Sequence, residues 1–426
     1  MFDAIVVGAR CAGSPTAMQL AQKGYRTLLV DKARFPSDTM STHWILQPGI
    51  DRLHRWGLLD QLRATKCPPL TTVSMDFGPV VLAGSPPPMP SGIREGYCCR
   101  RKYLDQILVE AALRAGVEFR EAFTVTGLVW EDDRVVGIKG RVQDGKEVEE
   151  RARIVVGADG MRSKVASWVN APEYDRQEGI TTPCYYNYYA DFPCDPNISE
   201  IIVRVGWGGG LLPTNDGLTC IIFGWRPELF PDYRSDPAAT MKKVIEQDPR
   251  WRERLAQSRP VERTMGIIET PGFYRRPYGP GWALVGDAGY WRHPITAQGV
   301  SDCFRDSELL TQAIDDGFCG RRPLQGALAA YEAARNQSTK ATYDSTNERT
   351  PMEAPSPRFV ELLNALDGNQ EAIDQFLGID AGTVRPADFF SPANMERLYQ
   401  HMTPERRARP ERERWARYWQ TPPALQ

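Results

Sequence analysis

The stretch FDAIVVGARCAGSPTAMQLAQKGYRTLLVD, residues 2–31, decides how the rest of the chain is read. Ala4-Ile5-Val6-Val7 is a short, wholly apolar run, suited to a strand covered on both faces. Gly8-Ala9-Arg10-Cys11-Ala12-Gly13 follows without a gap. A helical stretch, Ser14 to Lys23, is stopped by Gly24. Thr27-Leu28-Leu29-Val30 reads as a second strand, with Asp31 at its carboxyl end. Strand, glycine turn, helix, strand and acid form the frame of a dinucleotide-binding unit. Backbone N–H groups of the turn approach a pyrophosphate, the helix N-terminus favours its charge, and the acid accepts from a ribose hydroxyl. The turn departs from Gly-x-Gly-x-x-Gly in one place: Gly8 and Gly13 stand, and the middle glycine is Arg10. A guanidinium there restricts close backbone approach but can itself reach phosphate or solvent.

Composition narrows the class. At 426 residues the chain is too long for one small core, so two or three substructures are expected. A formal net charge of −2 with 25% charged residues argues against a nucleic-acid surface. No apolar run reaches the roughly 18 residues of a membrane-spanning helix, so no integral membrane segment is expected. The N-terminus reads as a strand and not as a signal peptide, and the expected location is the cytoplasm. The nine cysteines form no C-x-x-C pair and no zinc spacing; they read as thiols in a reducing compartment, and no metal site is expected.

Working outward, Lys32 to His43 is a loop rich in Ser, Thr and Asp that leads into a helix over 46–56. A polar loop placed directly after a nucleotide-binding strand folds over the cofactor. His43 at its end reads either as a helix-capping or solvent histidine or as a catalytic base. Residues 66–96 hold short apolar runs bracketed by Cys67-Pro68-Pro69 and Pro86-Pro87-Pro88, read as strands of a second sheet. Arg101-Lys102-Tyr103-Leu104-Asp105 opens a helix whose apolar positions repeat at 3.6 spacing, and a hairpin follows over 126–142. Ile154-Val155-Val156-Gly157-Ala158-Asp159-Gly160 repeats the chemistry of the first turn, a buried strand ending in an acid beside glycines.

From about 176 to 275 the chain reads as β again, with a hairpin cue at Asn215-Asp216-Gly217. The tyrosines at 185–189 read as sheet packing or, if that sheet faces a cofactor, as a binding wall. Gly281 to Gly289 then gives a third buried strand, ending in Gly286-Asp287. The loop from Pro294 to Gly299 leads into a helix expected over 299–315. The tail reads as helical and polar, with helices over 324–335, 357–366 and 371–377 and a charge-dense stretch, 405–417, that carries Trp415.

In this order and at these separations, the three strand ends resemble the FAD-dependent aromatic hydroxylases, the para-hydroxybenzoate hydroxylase-like flavoprotein monooxygenases. The geranylgeranyl-reductase-like branch and the flavin-dependent halogenases share that scaffold. The resemblance implies an α/β fold: a Rossmann-like FAD-binding domain of the glutathione-reductase type, an inserted, mostly antiparallel β-sheet substrate domain with α+β character, and a helical C-terminal region. The implied division is 1–70, 96–175 and 276–345 for FAD, 71–95 and 176–275 for substrate, and 346–426 for the tail. It implies that Gly8, Arg10, Gly13, Asp31, Arg101, Asp159, Gly286, Asp287, Pro294, Gln298 and Gly299 bind FAD. Tyr186, Tyr188, Trp207 and Pro213 are the expected substrate residues and His43 the expected catalytic one. The resemblance further implies NAD(P)H as transient reductant and O₂ as co-substrate, with a small electron-rich molecule hydroxylated through a flavin C4a-hydroperoxide. Gly289-Tyr290, where many members have Ala-His, and the loop 292–299 stand closer to the reductase-like branch, whose reaction reduces a C–C double bond. A halogenase and a non-enzymatic flavin protein are the further alternatives. The resemblance leaves the oligomeric state open.

Overall fold

The computed structural model describes residues 1–400 except 42, 180, 269 and 270, together with 402, 415 and 419. Of the charge-dense stretch 405–417, only Trp415 falls among the described residues.

Four strand ends meet along one edge of the first sheet. Its order is Tyr278–Gly279, Trp282–Leu284, Glu147–Gly157, Phe2–Val7, Thr27–Val30, Glu118–Arg120, and the last five run parallel. Ala4, Ile5, Val6, Leu28 and Leu29 have no solvent exposure, as continuous apolar runs in a two-sided sheet require. One face packs under the helices Gly13–Gln22, Arg101–Arg114 and Gly299–Phe318, which contribute Ala17, Leu104, Leu108 and Phe304 to the core. The other face packs under a hairpin, Thr124–Glu131 with Arg134–Arg141, through Leu128, Val135 and Ile138. The result is a three-layer sandwich in which each strand end, and the acid beyond it, is carried to the same rim.

The second sheet runs in the order Arg259–Pro260, Cys184–Ala190, Thr219–Trp225, Trp207–Pro213, Ile198–Arg204, Thr72–Asp76, Val81–Gly84. All of its pairs are antiparallel except Ile198–Arg204 with Thr72–Asp76. Alternation divides its tyrosines. Tyr186 and Tyr188 lie on one face beside Leu212 and Cys220, whereas Tyr185 and Tyr189 face a core with Trp225 and Trp251. That second core is closed by the helices Pro237–Ile245 and Pro249–Ala256, in a stretch whose own pattern read as β. Each starts at an Asp-Pro step. The Asp236 side chain accepts from the Ala239 N–H and that of Asp248 from the Arg250 N–H, with proline at the first helical position.

The tail is helical, as expected. The first of its helices, Leu324–Arg349, is longer than its expected span. Pro357–Leu366, Gln370–Ala381 and Pro392–Gln400 pack on Phe77, Val80 and Leu82 of the second sheet. Trp415 is buried in this cluster, and the Trp419 indole N–H donates to the Phe77 carbonyl (2.9 Å). No described helix is long and apolar enough to cross a membrane.

Candidate functional site

The turn from Gly8 to Gly13 is built by two glycines that tolerate no side chain. Gly8 has φ +104°, and a Cβ on it would lie 2.5 Å from the Ala158 carbonyl oxygen. A Cβ on Gly13 would lie 1.7 Å from the carbonyl oxygen of Gly8. The turn is also tied to the second strand. Gly8 N–H donates to the Val30 carbonyl (2.8 Å), and Asp31 accepts from the N–H groups of Ala9 (2.8 Å) and Ala33 (2.7 Å). The amides of Arg10, Cys11 and Ala12 donate to no described group. They stand ahead of the Gly13–Gln22 helix as an anion-ready set.

Beyond this turn opens a cavity of about 980 Å³. Of the expected cofactor residues, Gly8, Arg10, Asp31, Arg101, Asp159, Gly286, Asp287, Pro294, Gln298 and Gly299 line it. Gly13 does not; it lies behind the turn, where its lack of a side chain lets helix and strand close.

The acids at the rim are in different states. Asp159 accepts from Ser163 Oγ (2.5 Å) and the N–H groups of Lys164 (2.7 Å) and Val165 (3.2 Å), so it holds the start of the short helix Lys164–Trp168. Burial raises its pKa and these donors oppose the rise. Asp287 accepts from no described residue. Burial pushes it up to about 7, against the pull of Arg101. Arg101 is itself buried and bonded through Nε to Asp105 (3.0 Å), a fully buried carboxylate that also receives Arg10 Nη1 (2.6 Å).

The loop after Asp287 is held by its own side chains. Arg292 Nη2 donates to Gln298 Oε1 (2.5 Å) and to Asp302 (2.6 Å), while Gln298 Nε2 donates to the Asp380 carbonyl (3.3 Å). The Gln298 amide is thereby occupied by protein. His293 donates from Nε2 to the Thr182 carbonyl (2.9 Å) and accepts at Nδ1 from the Ile295 N–H (3.2 Å). Burial lowers its pKa to about 4, and it is neutral at ordinary pH. Gly299 opens the long helix, and a Cβ there would meet nothing within 4 Å.

These features fit FAD. Unpaired amides at a helix start suit the pyrophosphate, and a cavity-lining carboxylate without a partner among the described residues suits sugar or ribityl hydroxyls. Gly160 and Gly299 line the cavity, and at each a side chain would project into open space.

The opposite wall comes from the second sheet. Cys184, Tyr186, Ile222 and Ile267 line the cavity, together with Thr39, Met40 and Ser41 of the polar loop. The other expected substrate residues lie elsewhere. Tyr188 sits behind the wall, fully buried, with its ring under the Arg100 guanidinium (4.3 Å) and its hydroxyl 2.7 Å from His43 Nε2. Trp207 is on the far face of the sheet, stacked on Phe223, because strand alternation points it away from the cavity. Pro213 ends that strand outside the cavity lining. His43 also stands one side chain back. It is fully buried at φ +61°, edge-on to the Tyr186 ring (5.1 Å), and its Nδ1 has no partner. Arg292 and His293 were not expected as site residues, and Thr39–Ser41 were expected only as part of a loop folding over the cofactor. Their only signal in the sequence was position, beside the third strand end and after the second.

A fold with four strand ends around one cavity, glycines open toward it and an unpartnered acid in its lining suits a large dinucleotide cofactor such as FAD. The chain belongs to the family described as FAD binding domain, whose model matches residues 1–346, and it is an FAD-dependent oxidoreductase. It is 27% identical over 349 residues to the digeranylgeranylglycerophospholipid reductase of Methanosarcina acetivorans, covering 80% of this chain and 81% of that protein. Its fold is shared by the myxobacterial chondrochloren halogenase CndH (TM-score 0.75, 21% identity, 92% of each chain). It is shared too by PqsL of Pseudomonas aeruginosa, a probable FAD-dependent monooxygenase (TM-score 0.66, 19% identity, 89% of this chain and 99% of that one).

Proposed function

We propose that the protein is an NAD(P)H-using, FAD-dependent monooxygenase that hydroxylates an aromatic or other electron-rich small molecule. The observation that carries this reading is the wall of Cys184, Tyr186, Ile222 and Ile267, which faces the Pro294–Gly299 loop across one cavity. Three of these residues are apolar or weakly polar and the fourth is aromatic, a surface suited to a flat, compact substrate. The similarity in fold to PqsL supports it.

Bound FAD would supply hydride acceptance from a nicotinamide and oxygen activation. The chain does the rest. The Gly8–Gly13 turn and Asp287 hold the cofactor, and Arg101 keeps a positive charge beside Asp287. The apolar wall excludes water from the reacting face. Tyr186 has its pKa raised by burial, so it stays a neutral phenol; its hydroxyl donates to the Thr39 carbonyl (3.4 Å) and can accept from a substrate group. His43 positions Tyr186 and Tyr188 from behind and is not itself at the cavity surface.

A second reading is reduction of a C–C double bond, supported by the curated reductase at 27% identity and by the reductase-like loop 292–299. The purified protein, loaded with FAD, separates the two. NAD(P)H oxidation is followed with and without O₂ over phenols, indoles and aromatic ketones, and over isoprenoid alkenes. The monooxygenase reading expects substrate-dependent O₂ uptake and a product heavier by one oxygen atom. Substrate-dependent NAD(P)H oxidation that persists anaerobically and saturates an alkene would replace it with the reductase reading.

A further inference from the structure

Arg10 occupies the position where turns of this kind carry their second glycine, and its side chain has a specific set of partners. Nη1 donates to Asp105 Oδ2 (2.6 Å) and to the Ser37 carbonyl (3.2 Å), and Nη2 donates to Ser37 Oγ (3.0 Å). The guanidinium carbon lies 5.2 Å from the centre of the Phe35 ring. Asp105 is fully buried on the helix Arg101–Arg114, and it also receives Arg101. One residue past Ser37, Asp38 accepts from Arg100 Nε (3.1 Å) and from the Lys102 N–H (2.9 Å). The Ser37-Asp38 step is thus held from two sides, by the turn through Arg10 and by the helix start through Arg100 and Lys102. The next residues, Thr39, Met40 and Ser41, line the cavity.

We propose that Arg10 is a positioning residue that latches the segment 37–41 across the FAD cavity. A glycine at this position could make no such link, because among the described residues no other part of the turn hydrogen-bonds to Ser37. The guanidinium suits this role, since its planar fork meets a carboxylate on one side and a hydroxyl and a carbonyl on another, which a single ammonium cannot do at once. Three of its five N–H groups point to Asp105 and Ser37, so most of its donor capacity is committed to protein and Nε–H and one Nη2–H remain. The inference rests on the reading of the cavity as the FAD site.

The test uses the full-length protein with and without FAD. Hydrogen exchange over residues 35–43 reports the latch, and the rate of FAD release, read by the recovery of flavin fluorescence, reports its consequence. Arg10→Met is expected to speed exchange at 37–41 already in the FAD-free protein. It should also speed FAD release about tenfold, the scale of one hydrogen bond to a charged group, with little dependence on salt. Arg10→Lys should restore part of the protection, and Ser37→Ala should give a smaller change in the same direction. Unchanged exchange at 37–41 in Arg10→Met overturns the proposal. So does weakened FAD binding that is strongly salt-dependent with unchanged exchange, which would assign Arg10 to the phosphates instead. If Arg10→Met does not fold, Arg10→Lys and Ser37→Ala decide by the same two readouts. If the wild-type protein does not take up FAD, the reading of the cavity fails, while exchange in the FAD-free variants still decides whether the latch exists.

Discussion

The first and third strand–turn–helix units of the FAD-binding layer use the same residues to different ends. In the first, Gly13 is closed over by the Gly8 carbonyl and Asp31 is satisfied by two backbone amides of its own neighbourhood. In the third, Gly299 meets nothing within 4 Å, and Asp287 accepts from no described residue. The first unit is internally complete except for its three turn amides. The third is left open toward the cavity. Glycines and acids at strand ends therefore divide into those that build the turn and those that face a ligand, and only their surroundings distinguish them.

The largest expected effect falls on the closed unit. Gly13→Ala places a methyl group 1.7 Å from a backbone oxygen, where no rotamer relieves it. Strand and helix must separate, and we expect a loss of stability of at least about 3 kcal/mol, with loss of FAD retention. Thermal or urea unfolding of the FAD-free protein checks this. A variant as stable as wild type would break the contrast at its first member.

Asp287 is the counterpart on the open side. Asp287→Asn keeps the shape but weakens acceptance from hydroxyls, so FAD affinity should fall by about tenfold or more. The FAD-free protein should respond in the opposite sense, and the response should depend on pH. Burial raises this carboxyl to about 7 in the folded protein, above its value in the unfolded chain. The folded state then binds the proton more tightly, and ionisation costs stability. That cost is complete above pH 7, shrinks as pH falls below 7, and is gone below about 4, the ordinary carboxylate range. The Asp287→Asn substitution removes it. The variant should therefore be more stable than wild type at pH 8 and equal to it at pH 4, in denaturation curves without FAD. A pH-independent difference would show that Asp287 is not the unpaired, cavity-lining group of this contrast.

How far the sequence could be read follows the same division. The parallel strands were legible because burial on both faces demands unbroken apolar runs, and the acids and glycines follow them at once. The second sheet was less so. Alternation separates Tyr186 from Tyr185, but nothing local says which face meets the cavity, so Trp207 was expected on the wrong side. The helices at 237–256 were hidden because Asp236-Pro237 and Asp248-Pro249 serve equally as turns and as helix starts. The partner of Arg10 lies 95 positions away, at Asp105, a distance no local pattern spans.

The wall opposite the open unit gives an intermediate effect. Tyr188→Phe removes the hydroxyl that meets His43 Nε2 (2.7 Å) and leaves a buried ring nitrogen unpaired. Its Nδ1 already lacks a partner. We expect a loss of about 1–3 kcal/mol in stability. Turnover should fall with little change in FAD affinity, because His43 and Tyr188 lie behind the wall and outside the cavity lining. Unfolding curves and FAD titration check the two halves. A fall in FAD affinity as large as that of Asp287→Asn would place His43 on the cofactor side of the cavity.

The smallest effect on the protein alone should come from Gly299→Ala, and it sharpens the contrast most. Gly299 is the first residue of a 20-residue helix, and a methyl group there touches no protein atom within 4 Å. Alanine costs the unfolded chain some of its freedom, so the FAD-free variant should equal wild type or gain up to about 1 kcal/mol. With FAD the sign should reverse. The methyl group projects into the cavity beside Pro294, and it must compete with whatever part of the cofactor lies against the loop. Ligand-induced stabilisation should therefore be smaller in the variant than in wild type, even though the empty variant melts no lower. Gly13→Ala should show the opposite order, with damage already present before FAD is added. If Gly299→Ala binds FAD as well as wild type does, the loop 294–299 is not in contact with the cofactor, and the open unit is open for another ligand.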